Sequence, residues 1–396
     1  MKRILISAVA AGALLGQLNA VEIIKDGDKK LEVFGVANAV IGYGANHGAS
    51  NSTVSNSGDK HAFIYGIQGN SRIGLKFEVG NIFGAALIGA TEQYGISGVD
   101  VKDGNKSLDA KLKNIPGFRQ LYAGYNFGDA GKLLAGRNEL ITSMGFSSSI
   151  FDAESGLNGF GGVSTSTRRF QIAYSIAGLT VSLSENESSY GKASIPRISL
   201  GYETKSNALD AKVAASYAHL GNSSKHMAYI VAGVKPKFGT SYVSAMAAYG
   251  LNSNVVGEQA ISTAELSQGY ANWGVSAGAG DKNKSGFKTL GATGSLNTNI
   301  VSLMLEYGID FSEDLGFKLG AGYQIAKVAH KDSSDLHAYS AFVQLPYQAY
   351  KHSSGAAFKI IPQVGYIGTT LQTNGTAKTK TKTGDFLAEV LFKLSF

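Results

Sequence analysis

The sequence predicts an all-β fold, a transmembrane antiparallel barrel of sixteen strands. Three observations predict it: apolar residues recur with a period of two in segment after segment, very short links alternate with long polar ones, and the chain stops in an alternating strand that closes on Phe396. Period two sends successive side chains to opposite faces, which marks a strand. Short periplasmic turns at one rim and long extracellular loops at the other are the pattern of a barrel threaded through an outer membrane.

Taken in order, Lys2 and Arg3 precede an apolar run from Ile4 to Leu15, and Leu18-Asn19-Ala20 then supplies small or apolar cleavage positions. This is the pattern of a secretory signal peptide, so residues 1–20 are expected to be removed and a single barrel domain to occupy 21–396. The apolar run is too short for a helix crossing roughly 30 Å of hydrocarbon.

Further on, Ile73, Leu75, Phe77 and Val79 share one face and Arg72, Gly74, Lys76 and Glu78 the other. The same alternation sets Phe170, Ile172, Tyr174 and Ile176 against Arg169, Gln171, Ala173 and Ser175, and Ile198, Leu200 and Tyr202 against Arg197, Ser199, Gly201 and Glu203. It returns over Phe317 to Ile325 and in the last series, Phe386, Ala388, Val390, Phe392, Leu394 and Phe396. Strands are expected near 31–44, 61–79, 82–95, 114–128, 131–138, 166–177, 179–187, 195–204, 209–220, 226–237, 239–251, 298–309, 315–330, 335–347, 357–371 and 384–396. The even number lets both ends lie in the periplasm. The stretch 252–297, which holds Trp273, reads as one long loop, and a further hairpin inside it would make eighteen strands. Links such as Gly80-Asn81 and Gly178 are short, whereas 45–60 and 95–113 are long and polar.

Glycine (51 residues) and the aromatics Tyr and Phe (19 each) are plentiful and proline is scarce (5), a usage suited to strands and tight turns. Cysteine is absent, which excludes a disulfide-stapled fold, a thiolate metal site and a Cys nucleophile. Formal charge is +7, falling to +5 without Lys2 and Arg3, and the lysines are scattered, so no nucleic-acid partner is expected. The seven histidines form no His-Glu-x-x-His or His-x-His pair, so no metal is expected. No Gly-x-Ser-x-Gly elbow occurs, and Gly278 to Ser285 lacks the glycine of a phosphate loop at Asn283. No catalytic residue and no cofactor are therefore expected. Lys378 to Thr383 reads as a solvated basic loop face, with binding of lipopolysaccharide phosphates as a second reading.

Beyond the leader there are six arginines, at 72, 119, 137, 168, 169 and 197. Arg72, Arg169 and Arg197 fall on the polar face of alternating strands and hence toward the lumen, because an arginine facing lipid at mid-depth costs roughly 2–4 kcal/mol. Arg119 groups by strict alternation with Leu121, Ala123 and Tyr125, which look lipid-facing, so it requires a bulge or a position above the bilayer. Arginine keeps its charge at any pH and grips carboxylate or phosphate by a planar fork, and several in a narrow pore raise the local anion concentration. A second reading pairs the same arginines with lumen carboxylates such as Glu78 and Glu203 to stiffen the wall.

Val21-Glu-Ile-Ile-Lys-Asp-Gly-Asp-Lys-Lys-Leu-Glu-Val-Phe-Gly-Val36 resembles the first turn and strand of the general trimeric porins of Gram-negative outer membranes. Gly69-Asn-Ser-Arg-Ile-Gly-Leu-Lys-Phe77, Phe118 to Gly131, Ala135-Gly-Arg-Asn138 and Gly159-Phe-Gly-Gly162 follow in the family's order and spacing. The resemblance implies that 138–165 is the family's third loop, folded inward as a constriction, with Glu139 at its start and Asp152 and Glu154 as its acids. It further implies that Arg72 and Arg119 belong to the basic ladder facing them, that Arg137, the family's Gly-Arg-Asn arginine, lines the pore with them near the constriction, and that Phe396 is the signal read by the outer-membrane insertion machinery. Val36 replaces the family's lysine, and Asn158-Gly-Phe-Gly-Gly-Val163 departs from its Pro-Glu-Phe-Gly-Gly-Asp. The expected function is passive diffusion of small hydrophilic solutes and ions through a homotrimer set in lipid and lipopolysaccharide, with mild anion preference. The alternatives are a substrate-specific channel for an anionic nutrient and an adhesin or scaffold barrel with a plugged lumen.

Overall fold

Inside hydrocarbon no water meets a backbone N–H or C=O, so a membrane-spanning sheet must close on itself. The computed structural model of the chain describes residues 20–48, 61–68, 71–89, 117–150, 168–188, 191–192, 195–221, 225–253, 297–328, 334–353, 355–373 and 379–396. They form a closed antiparallel barrel of sixteen wall strands. In chain order these are β1 (Lys29–Gly48), β2 (His61–Ile67 and Arg72–Val79, one strand interrupted between them), β3 (Ile82–Gly89), β4 (Gly117–Asn126), β5 (Lys132–Glu139), β6 (Arg168–Ile176), β7 (Leu179–Ser184) and β8 (Arg197–Lys205). The second half comprises β9 (Leu209–His219), β10 (His226–Phe238), β11 (Ser241–Leu251), β12 (Thr298–Asp310), β13 (Gly316–Val328), β14 (Ser334–Gln344 continued by Tyr347–Lys351), β15 (Ala357–Thr373) and β16 (Thr379–Ser395).

Each strand pairs with its neighbour in sequence, and β1 closes the ring by pairing with β2 on one edge and β16 on the other. The segment Val21–Asp26 adds to the β16 edge of β1, with Val21 opposite Val33 and Asp26 opposite Lys29. The two chain segments thus share one edge: Phe396 exchanges both backbone hydrogen bonds with Gly35, at 2.7 and 3.0 Å, and its ring lies over that glycine, where a Cβ would come within 2.5 Å of Cζ.

The period-two faces are realised as exposure. In β9 and β10 burial alternates residue by residue, with Val213, Tyr217, Ile230 and Val234 exposed outward and Ala214, Met227, Tyr229 and Val231 buried inward. The same apolar band continues round the wall through Leu75, Ile172, Leu200, Leu303 and Leu319. An outward apolar face and a polar inner one are what lipid outside and water inside demand.

Sequence and structure differ in detail. β11 and β12 pair directly over eleven positions, from Ser241 with Ile309 to Leu251 with Asn299, so the described wall has sixteen strands, not eighteen. β14 breaks at Leu345-Pro346, because proline has no N–H to give the ladder. Lys378 to Thr383 is not wholly a loop: β16 begins at Thr379 and pairs Thr379 to Thr383 with Thr373 to Thr369, since threonine suits a pleated strand.

Deleting Phe396 removes two backbone hydrogen bonds of about 1 kcal/mol each and a packed ring of about 2 kcal/mol from the closing seam. Unboiled samples are expected to lose the fast-migrating folded band in electrophoresis, and full retention of that band would show the seam to be dispensable.

Candidate functional site

The inner face is the candidate site, and an inward excursion of the chain after β5 shapes it. After β5 the backbone bends into the barrel, and residues 140–150 run along the inner wall from strand to strand. Leu140, Thr142, Ser143, Met144 and Ile150 are buried there. Met144 and Ile150 join an apolar cluster with Met227, Val231, Met246 and Met304, which face inward. Two glycines make room: the Ile141 side chain occupies the space where a Cβ on Gly201 would stand, and a Cβ on Gly233 would meet the Phe146 ring at 2.7 Å.

Buried backbone groups need partners, and wall side chains supply them. Lys212 Nζ donates to Ser143 O at 2.7 Å and Ser244 Oγ to Phe146 O at 2.9 Å. The Ser148 N–H donates to Glu306 Oε2 at 2.7 Å, and Gln344 Nε2 donates to Ser148 O at 2.9 Å. The Ile150 N–H reaches Gln363 Oε1 at 3.0 Å, and Gln68 Nε2, in the interruption of β2, takes Ile150 O at 2.8 Å. The segment is therefore fastened from β8 round to β15 and then to β2. Asp152 and Glu154, and 151–165 as a whole, lie outside the described residues.

Glu139, at the start of the excursion, pairs with Arg168 Nη2 at 3.1 Å, both side chains being nearly buried. Arg72, on the inner face of β2, feels the charges of both. Arg119 stands in a bulge of β4, between Phe118, which pairs with Ile88, and Gln120, which pairs with Leu87. That bulge turns it inward, where its stem fills the space beside Gly89. Arg169 lies 3.9 Å from Glu185 on the inner face of β6, and Arg197 is fully buried on that of β8. Arg137 is a correction. It is exposed on the outward face, opposite Leu121 on one side and Phe170 on the other, because β5 keeps its register through Gly136 and position 137 falls on the lipid-facing parity.

The sequence reading passed over the lysines of the inner wall. Lys235 in β10, Lys318 in β13, Lys359 in β15 and Lys393 in β16 stand on it, each near the short-turn end of its strand. Toward the same rim, ammonium groups lie over inner aromatic rings: Lys76 is 4.8 Å from the Phe34 centroid and Lys235 3.7 Å from that of Tyr242. Lys393 lies between the outward Phe392 and Leu394, so the alternation that located Arg72 would have found it.

No protein-family model matches the chain, and no curated protein matches it either. Solved structures do. The outer membrane channel DcaP of Acinetobacter baumannii superposes with a TM-score of 0.61 at 14% identity, over 95% of this chain and 100% of that one. The fold is that of the outer-membrane porins. The anion-selective porin from Comamonas acidovorans follows at 0.52 and 15% identity, over 93% and 100% of the chains, and OmpT of Vibrio cholerae at 0.54 and 10%, over 95% and 100%. Such identities speak for the porin fold alone, and with it for an outer-membrane β-barrel.

Replacing Glu306 and Gln363 together by alanine strips the Ser148 and Ile150 N–H groups of their acceptors, at about 1–3 kcal/mol for each buried donor left unpaired. Single-channel recordings are expected to show a larger, noisier conductance; an unaltered trace would mean that 140–150 stays seated without them.

Proposed function

We propose that the chain is a porin, a water-filled channel for passive diffusion of small hydrophilic solutes and ions with a mild preference for anions. One observation carries this reading: sixteen strands enclose an inner face bearing Arg72, Lys318, Lys359 and Lys393, and a charged wall of that girth calls for water rather than a packed core. The fastening of 140–150 along the wall fits a narrowed passage better than a plugged adhesin barrel. Anion preference is supported by the inward Arg72 and Arg119 and agrees with the anion-selective porin of Comamonas acidovorans, which has the same fold. Asp152 and Glu154 are assigned to the opposing side of the constriction, and residues 1–20 to the exported leader.

The assembly we infer is a homotrimer in lipid and lipopolysaccharide. Arg137 supports it, since an arginine between Leu121 and Phe170 would cost roughly 2–4 kcal/mol against lipid at mid-depth and a neighbouring subunit relieves that cost. Phe396 remains our assignment for the insertion signal. Cross-linking of the detergent-extracted protein is expected to yield trimers; monomers alone would remove the trimer and leave the barrel.

The selectivity is tested by reversal potential across a planar bilayer under a salt gradient. Replacing Arg72 and Arg119 by glutamine should move it toward cations near 0.1 M salt, where the Debye length is about 10 Å, and much less near 1 M, where it is about 3 Å. An unshifted potential at low salt would mean that both guanidiniums are spent on the wall.

A further inference from the structure

Lys359 and Lys393 are direct cross-strand partners on the inner face of β15 and β16. Such partners hold their Cβ atoms about 4.5–5.5 Å apart, and like charges so placed repel. Among the described residues neither ammonium has an ion pair or a hydrogen bond, and the charges acting on Lys393 are those of Lys359, Arg72 and Lys318, all positive. Lys318 carries the row on toward Lys235. The acids at that end are Glu306, engaged by the Ser148 N–H and by Tyr242 Oη at 2.7 Å each, and Asp310; both act on Lys318 and Lys235, and neither is among the charges acting on Lys393. Glu389, the nearest acid of β16 on the inner face, is separated from Lys393 by the buried Leu391.

The row also has a defined place. Lys318 is the cross-strand partner of Gln344, which holds Ser148 O. Lys359 lies two inner positions toward the short turns from Gln363, which holds the Ile150 N–H. The lysines therefore flank the fastened segment on its short-turn side, where a solute that has passed it would meet them.

We infer that Lys359 and Lys393, with Lys318 beside them, form a binding site for small dianions on the inner wall. An anion between the two ammoniums turns their repulsion into attraction. Lysine presents a compact point charge with three rotatable donors rather than a planar fork, so the pair selects for charge and size. A dianion of the phosphate, sulfate or short dicarboxylate kind neutralises both at once, whereas chloride neutralises one. The site deepens the channel reading and rests on it, since its ligand arrives through the lumen.

The probe is sulfate, a dianion at every working pH. In planar bilayers, millimolar sulfate is expected to depress the chloride current of the wild type saturably. The variant Lys359→Gln/Lys393→Gln should raise the half-blocking concentration at least tenfold, and Lys359→Arg/Lys393→Arg should keep the block. An equal block in the glutamine variant, or a wild type that conducts chloride with no block, would overturn the site and leave the channel standing. A wild type that passes no current would overturn the channel instead, and the site is then decided in detergent. At constant ionic strength sulfate should raise the unfolding temperature of the wild type and not of the glutamine variant, as a ligand bound only by the folded state does. Equal shifts in both would overturn it.

Discussion

Everything in this molecule follows from the rule that a backbone group in hydrocarbon must find its partner in the sheet. An open sheet would leave one edge of β1 and one edge of β16 bare, so the two must meet, and β1 is accordingly paired along both edges. Once the ring is closed, the side chains are free to sort by solvent. Outward positions take Leu, Ile, Val and aromatic residues; inward positions can carry charge that no packed core would tolerate.

The inner face is divided between two uses. Between β10 and β13 it is apolar where the fastened segment lies, with Met246 and Met304 against Met144 and Ile150. Next to that patch it turns basic, toward the short turns of β13, β15 and β16. The polar wall residues that hold the segment, Lys212, Ser244, Glu306, Gln344 and Gln363, mark the border between them, each spending a side-chain group on a backbone that would otherwise be buried without a partner.

Alternation is a local property, and what depends on it was readable from the sequence: the strands, their approximate ends, and the inward aim of Arg72, Arg169 and Arg197. It failed where a local irregularity intervenes, at the Arg119 bulge and the Pro346 break, and where motif matching replaced parity, at Arg137. The course of 140–150 is of another kind. It is set by contacts such as Gln363 with Ser149, 214 residues apart, and nothing in the spacing of residues near 148 announces Glu306 or Gln344 as partners. The lysine row was legible position by position, yet its meaning lies in cross-strand pairing, since Lys359 and Lys393 are neighbours only because β15 and β16 are in register.

The shared edge of β1 bears on the chain's connectivity. Phe396 sits opposite Gly35 and Val21 opposite Val33, so the two runs of backbone are collinear and a single β1 residue, Phe34, spans the gap between them. In a chain begun at Val21, a one-residue linker opposite Phe34 would make one uninterrupted strand without altering the ring. The barrel is thus topologically ready for circular permutation, with new termini opened at a short turn such as Gly239-Thr240, and the order in which its strands leave the ribosome is separable from the order in which they stand in the wall.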